Sequence, residues 1–106
     1  MFDALEIAHQ MIDTLPGLLA RVRSKDPDLY KQIRRAANSV TLNISEGARR
    51  AGGDRKHLWR VAAGSAAEVR TALRNAVSWG DLTARQTKPT LELLDRVIAM
   101  LWKMTH

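Results

Sequence analysis

Two carboxylates, Glu46 and Glu68, fall on neighbouring predicted helices and would make a general acid and base if they met. Folding those helices into a hairpin that turns near 51–53 sets residue i opposite roughly 105 − i. That register parts the two carboxylates by about seven residues, near 10 Å at the helical rise of about 1.5 Å. Neither a histidine nor a nucleophile stands beside them to complete a site. His9 and Asp13 are spaced i,i+4 and would offer a metal two ligands, but the third is missing. Gly52-Gly53 beside Arg49 and Arg50 suggests a phosphate loop, yet the Walker spacing and its Lys-Ser/Thr are absent. His57 reads as a solvated side chain among arginines, and His106 is terminal. The residues therefore predict no catalytic set, metal, cofactor or small-molecule substrate, and the expectation is a protein that is not an enzyme.

The elements that carry these residues are legible from period and punctuation. Leu5, Ala8, Ile12, Leu15, Leu19 and Val22 form one apolar seam along a first helix, in which Pro16 and Gly17 should introduce a kink. Asp26 and Pro27 supply an N-cap and first position for a second helix, whose seam is Leu29, Ile33, Ala36/Ala37, Val40, Ile44 and Gly47. Gly52-Gly53 should end it, and Asp54 should cap a third helix with its seam at Leu58, Ala62, Ser65, Val69, Leu73 and Ala76, closed by Gly80. A fourth helix starts either at a Thr83/Gln86 capping box or at Pro89. No segment alternates with period two. The predicted fold is all-α: an antiparallel up-down-up-down four-helix bundle forming a single domain over residues 1–106.

On the fourth helix, apolar residues from Leu91 to Met104 cover roughly half the circumference, more than one bundle position needs. The excess is either extra core around Trp102 or a contact surface for another subunit, and the second reading is preferred. Within the second and third helices, Ser39 falls beside Ser65, Arg35 near Glu68, and Arg50 four residues beyond Glu46. Together with Asn43, these residues are expected to register the hairpin through polar contacts. Exposed i,i+4 ion pairs contribute only about 0.2–0.5 kcal/mol each.

Charge gives the remaining signal. The net charge is +6. Residues 1–30 hold three basic and five acidic side chains, residues 31–60 eight and two, and residues 61–106 six and four. The excess therefore sits in the second helix and the turn after it, which points to a polyanionic partner. Lys31, Arg34 and Arg49 on the second helix, with Arg60, Arg70 and Arg74 on the third, are expected to merge into one basic surface for RNA or DNA. The start of the chain does not read as a signal peptide, no apolar run approaches the roughly 20 residues of a membrane span, and cysteine is absent. A cytoplasmic protein without membrane contact is the expectation.

The segments "QIRRAANSVTLNISEGARR" and "AAGSAAEV" resemble the four-helix-bundle family encoded in intervening sequences of large-subunit ribosomal RNA. The matching positions are Arg34, Arg35, Ala36, Ser39, Asn43, Ile44, Glu46, Gly47, Arg50, Gly64, Ser65 and Glu68. "RKHLW" at the third helix and Pro89 depart from that pattern. The resemblance implies a small antiparallel bundle assembled as a ring of five subunits, and it brings no catalytic residues. More distantly, it is similar to accessory proteins of diversity-generating retroelements, which implies nucleic acid and a reverse transcriptase as partners. The competing expectation is a structural or protein-interaction module whose charge serves solubility.

Overall fold

The Asp26-Pro27 signal works as the sequence predicts: the Asp26 carboxylate accepts the Leu29 amide at 3.0 Å, and Pro27 opens a 22-residue helix. The computed structural model describes residues 3–106. Its helices are α1 (Asp3–Asp13), α2 (Leu15–Lys25), α3 (Pro27–Ala48), α4 (Gly52–Ser78) and α5 (Ala84–Thr105), with no strand among the described residues. At about 1.5 Å per residue, the 27 residues of α4 nearly fill the 42 Å long axis.

Five helices stand where four were expected, because the first predicted helix is two. Pro16 lies in the first turn of α2. Its ring lacks an N–H and crowds the carbonyl of Ile12, four residues earlier, so the helix gives way upstream of the proline. Thr14 closes the break: its amide and hydroxyl both reach the Met11 carbonyl, at 3.1 and 2.6 Å. The same hydroxyl lies 2.6 Å from that of Thr90 on α5.

A second boundary also moves. The α3 helix ends at Ala48, and Gly52-Gly53 opens α4 instead of ending α3. Gly52 holds φ at +58°, in the left-handed region that favours glycine. The N-cap is Ala51, with no side-chain cap, and Asp54 lies in the first turn, where its charge favours the helix dipole. The Thr83/Gln86 capping box is formed in both directions, which places Pro89 inside α5.

The core follows the predicted seams closely. Ile33, Val40, Ile44, Ala62, Val69, Leu73 and Ala76 are fully covered. Several positions shift: Trp59 is buried in place of Leu58 and Ala66 in place of Ser65, and on α1 Ile7 and Met11 are buried while Leu5 and Ile12 are half-buried. On α5 the covered stripe is Leu94, Val97 and Leu101, extended by Thr87, Thr90 and Thr105. Trp102 is 60% exposed, which removes the idea of extra core built around it.

Candidate nucleic-acid interface

Cross-helix partners fix the relation of α3 to α4. The Ser39 and Ser65 hydroxyls meet at 2.7 Å, the Trp59 indole donates to the Ile44 carbonyl at 3.1 Å, and Arg55 Nε donates to the Gly47 carbonyl at 3.2 Å. Numbers rise on one helix as they fall on the other, so the two run antiparallel. Asn43 donates to the Ser39 carbonyl and hydroxyl at 2.9 and 3.0 Å, which closes a three-residue polar chain across the seam. No buried side-chain nitrogen or oxygen among the described residues lacks a partner.

The carboxylates behave differently from one another. Glu46 accepts from Arg50 Nε at 3.0 Å, with about half of each side chain exposed. Glu68 and Arg35 are both exposed and make no ion pair with each other. The observed register explains this correction: with Ser39 on Ser65, the residue opposite Arg35 is the fully covered Val69, and its neighbour Glu68 turns to solvent. His9, Asp13 and His57 are exposed. Among the described residues no group of three or more His, Cys, Asp or Glu is placed to hold a metal.

Three residues at the turn carry more of the joint than their sequence signal suggested. A Cβ on Gly47 would lie 2.6 Å from Trp59 Cδ1 and Nε1, so only glycine admits the indole there. Arg55 donates to the carbonyls of both Gly47 and Ala48, and its guanidinium lies 5.4 Å from the Trp59 ring centroid. A cation on the last carbonyls of α3 satisfies acceptors that the helix leaves open. A glycine on a buried seam, followed by a tryptophan one hairpin turn later, was the available clue.

The cations divide between two sides of the molecule instead of merging. Arg60 donates to the Thr105 carbonyl at the end of α5, and Arg70 pairs with Asp95 at 2.5 Å. Arg74 lines an α4–α5 groove with Arg85, Lys88, Glu92 and Asp95, where charge is mixed. On the other side, Lys31 and Arg34 project from α3 with Arg35, and none of them has an ion-pair partner among the described residues. Arg49 is exposed at the C-terminal end of α3. The expected surface on the second and third helices thus separates, because Arg60, Arg70 and Arg74 turn towards α5.

A third feature joins the α3 cations. Between α2 and α3 runs a groove of about 420 Å³, floored by Ile12, Leu19 and Ala37 and edged by Arg23 and Arg34. Tyr30 stands between these arginines: the Arg23 guanidinium is 5.4 Å from its ring centroid, and Arg34 Nη1 is 3.4 Å from its hydroxyl.

Taken together, these observations define an all-α protein whose polar residues close a hairpin and whose unpaired charge faces outward. The chain belongs to the 23S rRNA-intervening sequence protein family, whose model matches residues 3–103. No curated protein matches it significantly. Among the described residues, no helix is long and apolar enough to cross a membrane.

Proposed function

We propose that this chain is a non-enzymatic, oligomeric bundle that binds RNA, or a ribonucleoprotein partner, through unpaired cations on α3. The observation that carries this reading is the row Lys31, Arg34, Arg35 and Arg49, exposed and without carboxylate partners among the described residues. Phosphate contacts of this kind supply affinity independent of sequence. The family's name, 23S rRNA-intervening sequence protein, makes RNA the nucleic acid to test first.

We take α1 and α2 as one bent rod, which makes the chain an up-down-up-down bundle of four rods. The one-residue link at Asp26 between α2 and α3 supports this, as do the paired positions Arg60–Thr105 and Arg70–Asp95 between α4 and α5. Assembly is supported by Trp79 and Trp102, exposed by 78% and 60%. Large apolar groups left in water favour a subunit contact. Five copies are proposed on the family resemblance, and a ring would repeat the cationic row so that modest contacts add.

Fluorescence anisotropy with a labelled RNA, titrated against salt, tests the binding. Lys31→Glu with Arg49→Glu should weaken it strongly, and Arg96→Glu with Lys103→Glu should weaken it less. Equal weakening, or no binding by the wild type at low salt, overturns the reading. Light scattering should give a mass several times 11.9 kDa, and a monomer at micromolar concentration overturns the assembly.

A further inference from the structure

We infer that the α2–α3 groove around Tyr30 is the contact point for a single-stranded segment of RNA, taking one phosphodiester between Arg23 and Arg34 and an unpaired base or ribose on its apolar floor. This rests on the RNA-binding reading above and assigns it a place and a substrate form. Arg23 and Tyr30 belong to neither the polar seam nor the cationic row that the sequence singled out.

Three observations carry the inference. First, the two guanidiniums are already positioned, one against the face of the Tyr30 ring and one at its hydroxyl. A donor pair held in place loses less side-chain freedom on binding an anion than two free arginines would. Second, no carboxylate lines the groove or its continuation along Lys31, Arg35 and Leu42. Of the acids near it in sequence, Asp26 is committed to the Leu29 amide, and Asp13 and Asp28 are exposed outside the lining. The charge therefore complements a polyanion without an internal competitor. Third, the floor beneath the cations is apolar and partly open. A duplex offers only its phosphates to such a shelf, because its bases are stacked inside. An unpaired nucleotide offers phosphate to the rim and an apolar face to the floor, the combination used in single-strand recognition. By contrast, the α4–α5 groove sets Glu92 and Asp95 beside its cations, which offsets most of their attraction for the same ligand.

The test uses the full chain and a fluorescein-labelled twelve-nucleotide polyuridine, with an unlabelled RNA duplex of equal length as competitor. Arg23→Ala with Arg34→Ala should weaken binding at least tenfold and lower the salt slope by about 0.7, the value for one phosphate of a single strand. Tyr30→Leu should weaken binding several-fold with little change in slope, and the duplex should compete at least tenfold less well. Arg74→Ala with Lys88→Ala should leave affinity within twofold.

Several outcomes overturn the inference. If the α4–α5 pair controls affinity and the Arg23/Arg34 pair does not, the groove falls and RNA binding elsewhere stands. Equal competition by the duplex removes the single-strand claim. If the groove variants change only the oligomer mass, the groove is a subunit contact. No binding by the wild type at low salt removes the RNA reading as well. Should the double variant fail to fold, hydrogen exchange on the wild type decides the matter: the oligonucleotide should protect amides in residues 15–38, and no protection overturns the inference.

Discussion

The two faces of α3 are finished in opposite ways. Towards α4, every polar group that leaves water finds a protein partner: Ser39 meets Ser65, Asn43 meets Ser39, and the Trp59 indole meets Ile44. Towards α2, Arg23, Tyr30 and Arg34 touch one another but leave their charge unopposed above an apolar floor. A buried polar group without a partner costs about 1–3 kcal/mol, so a seam that must close completely has to satisfy its own atoms. A groove that stays wet has no such requirement and can keep its charge for another molecule. The contrast separates residues that build the protein from residues available to a partner.

Substitutions can break that contrast, and the largest effect belongs to the closed face. Trp59→Ala removes a buried indole and its bond to Ile44, and should cost about 3–5 kcal/mol in urea unfolding at fixed protein concentration. A loss below about 1 kcal/mol would mean the joint is not built around this side chain. Gly47→Ala comes next. The new methyl would sit 2.6 Å from the indole; overpacking of this kind costs about 1–3 kcal/mol and should outweigh the helix-propensity gain of about 1 kcal/mol. A net gain in stability would show that Trp59 moves aside cheaply. Ser39→Ala interrupts the hydroxyl chain, and a loss of about 1 kcal/mol is expected; no loss would make the chain decorative. Smallest are Glu46→Gln and Glu68→Gln. The first breaks a half-exposed pair and the second breaks none, so each should stay within about 0.5 kcal/mol. A large effect at Glu68 would reveal a partner on another subunit.

Where local chemistry decides, the sequence is readable. Asp26-Pro27 and the Thr83/Gln86 box each act within one turn, and both form as their residue types require. The apolar seams are also readable, because burial repeats with the helical period. Apart from the α4 start, where Ala51 and not Asp54 is the N-cap, the features that were missed depend on long-range geometry. Whether Pro16 bends a helix or divides it depends on what receives Thr14, which is Thr90, 76 residues away. Whether Arg60 and Arg70 join the α3 cations depends on which neighbour α4 turns them towards, and that neighbour is α5. Asn43 and Ser65 could be assigned to the hairpin because a constant register links them. Gly47 and Trp59 meet across the same hairpin, but the apolar period marks only Gly47 as a seam residue. The Tyr30 groove had no sequence signature, since its two arginines come from different helices.

The meeting of Thr14 and Thr90 has one more consequence. Thr14 marks the break between α1 and α2, and Thr90 follows Pro89, which cannot donate to the carbonyl four residues before it. Two interruptions of the backbone ladder thus face each other at one level of the molecule, joined by a single pair of hydroxyls. That level should yield more readily than the α3–α4 pair. A flexing motion there strains fewer main-chain bonds than it would anywhere along the α3–α4 pair. Amide exchange should therefore divide the chain into cooperative units, with α1 opening at lower free energy than the hairpin. The rigid unit holds Tyr30 and its neighbours on α3, while the arginine that completes the groove sits on α2, just beyond the compliant level.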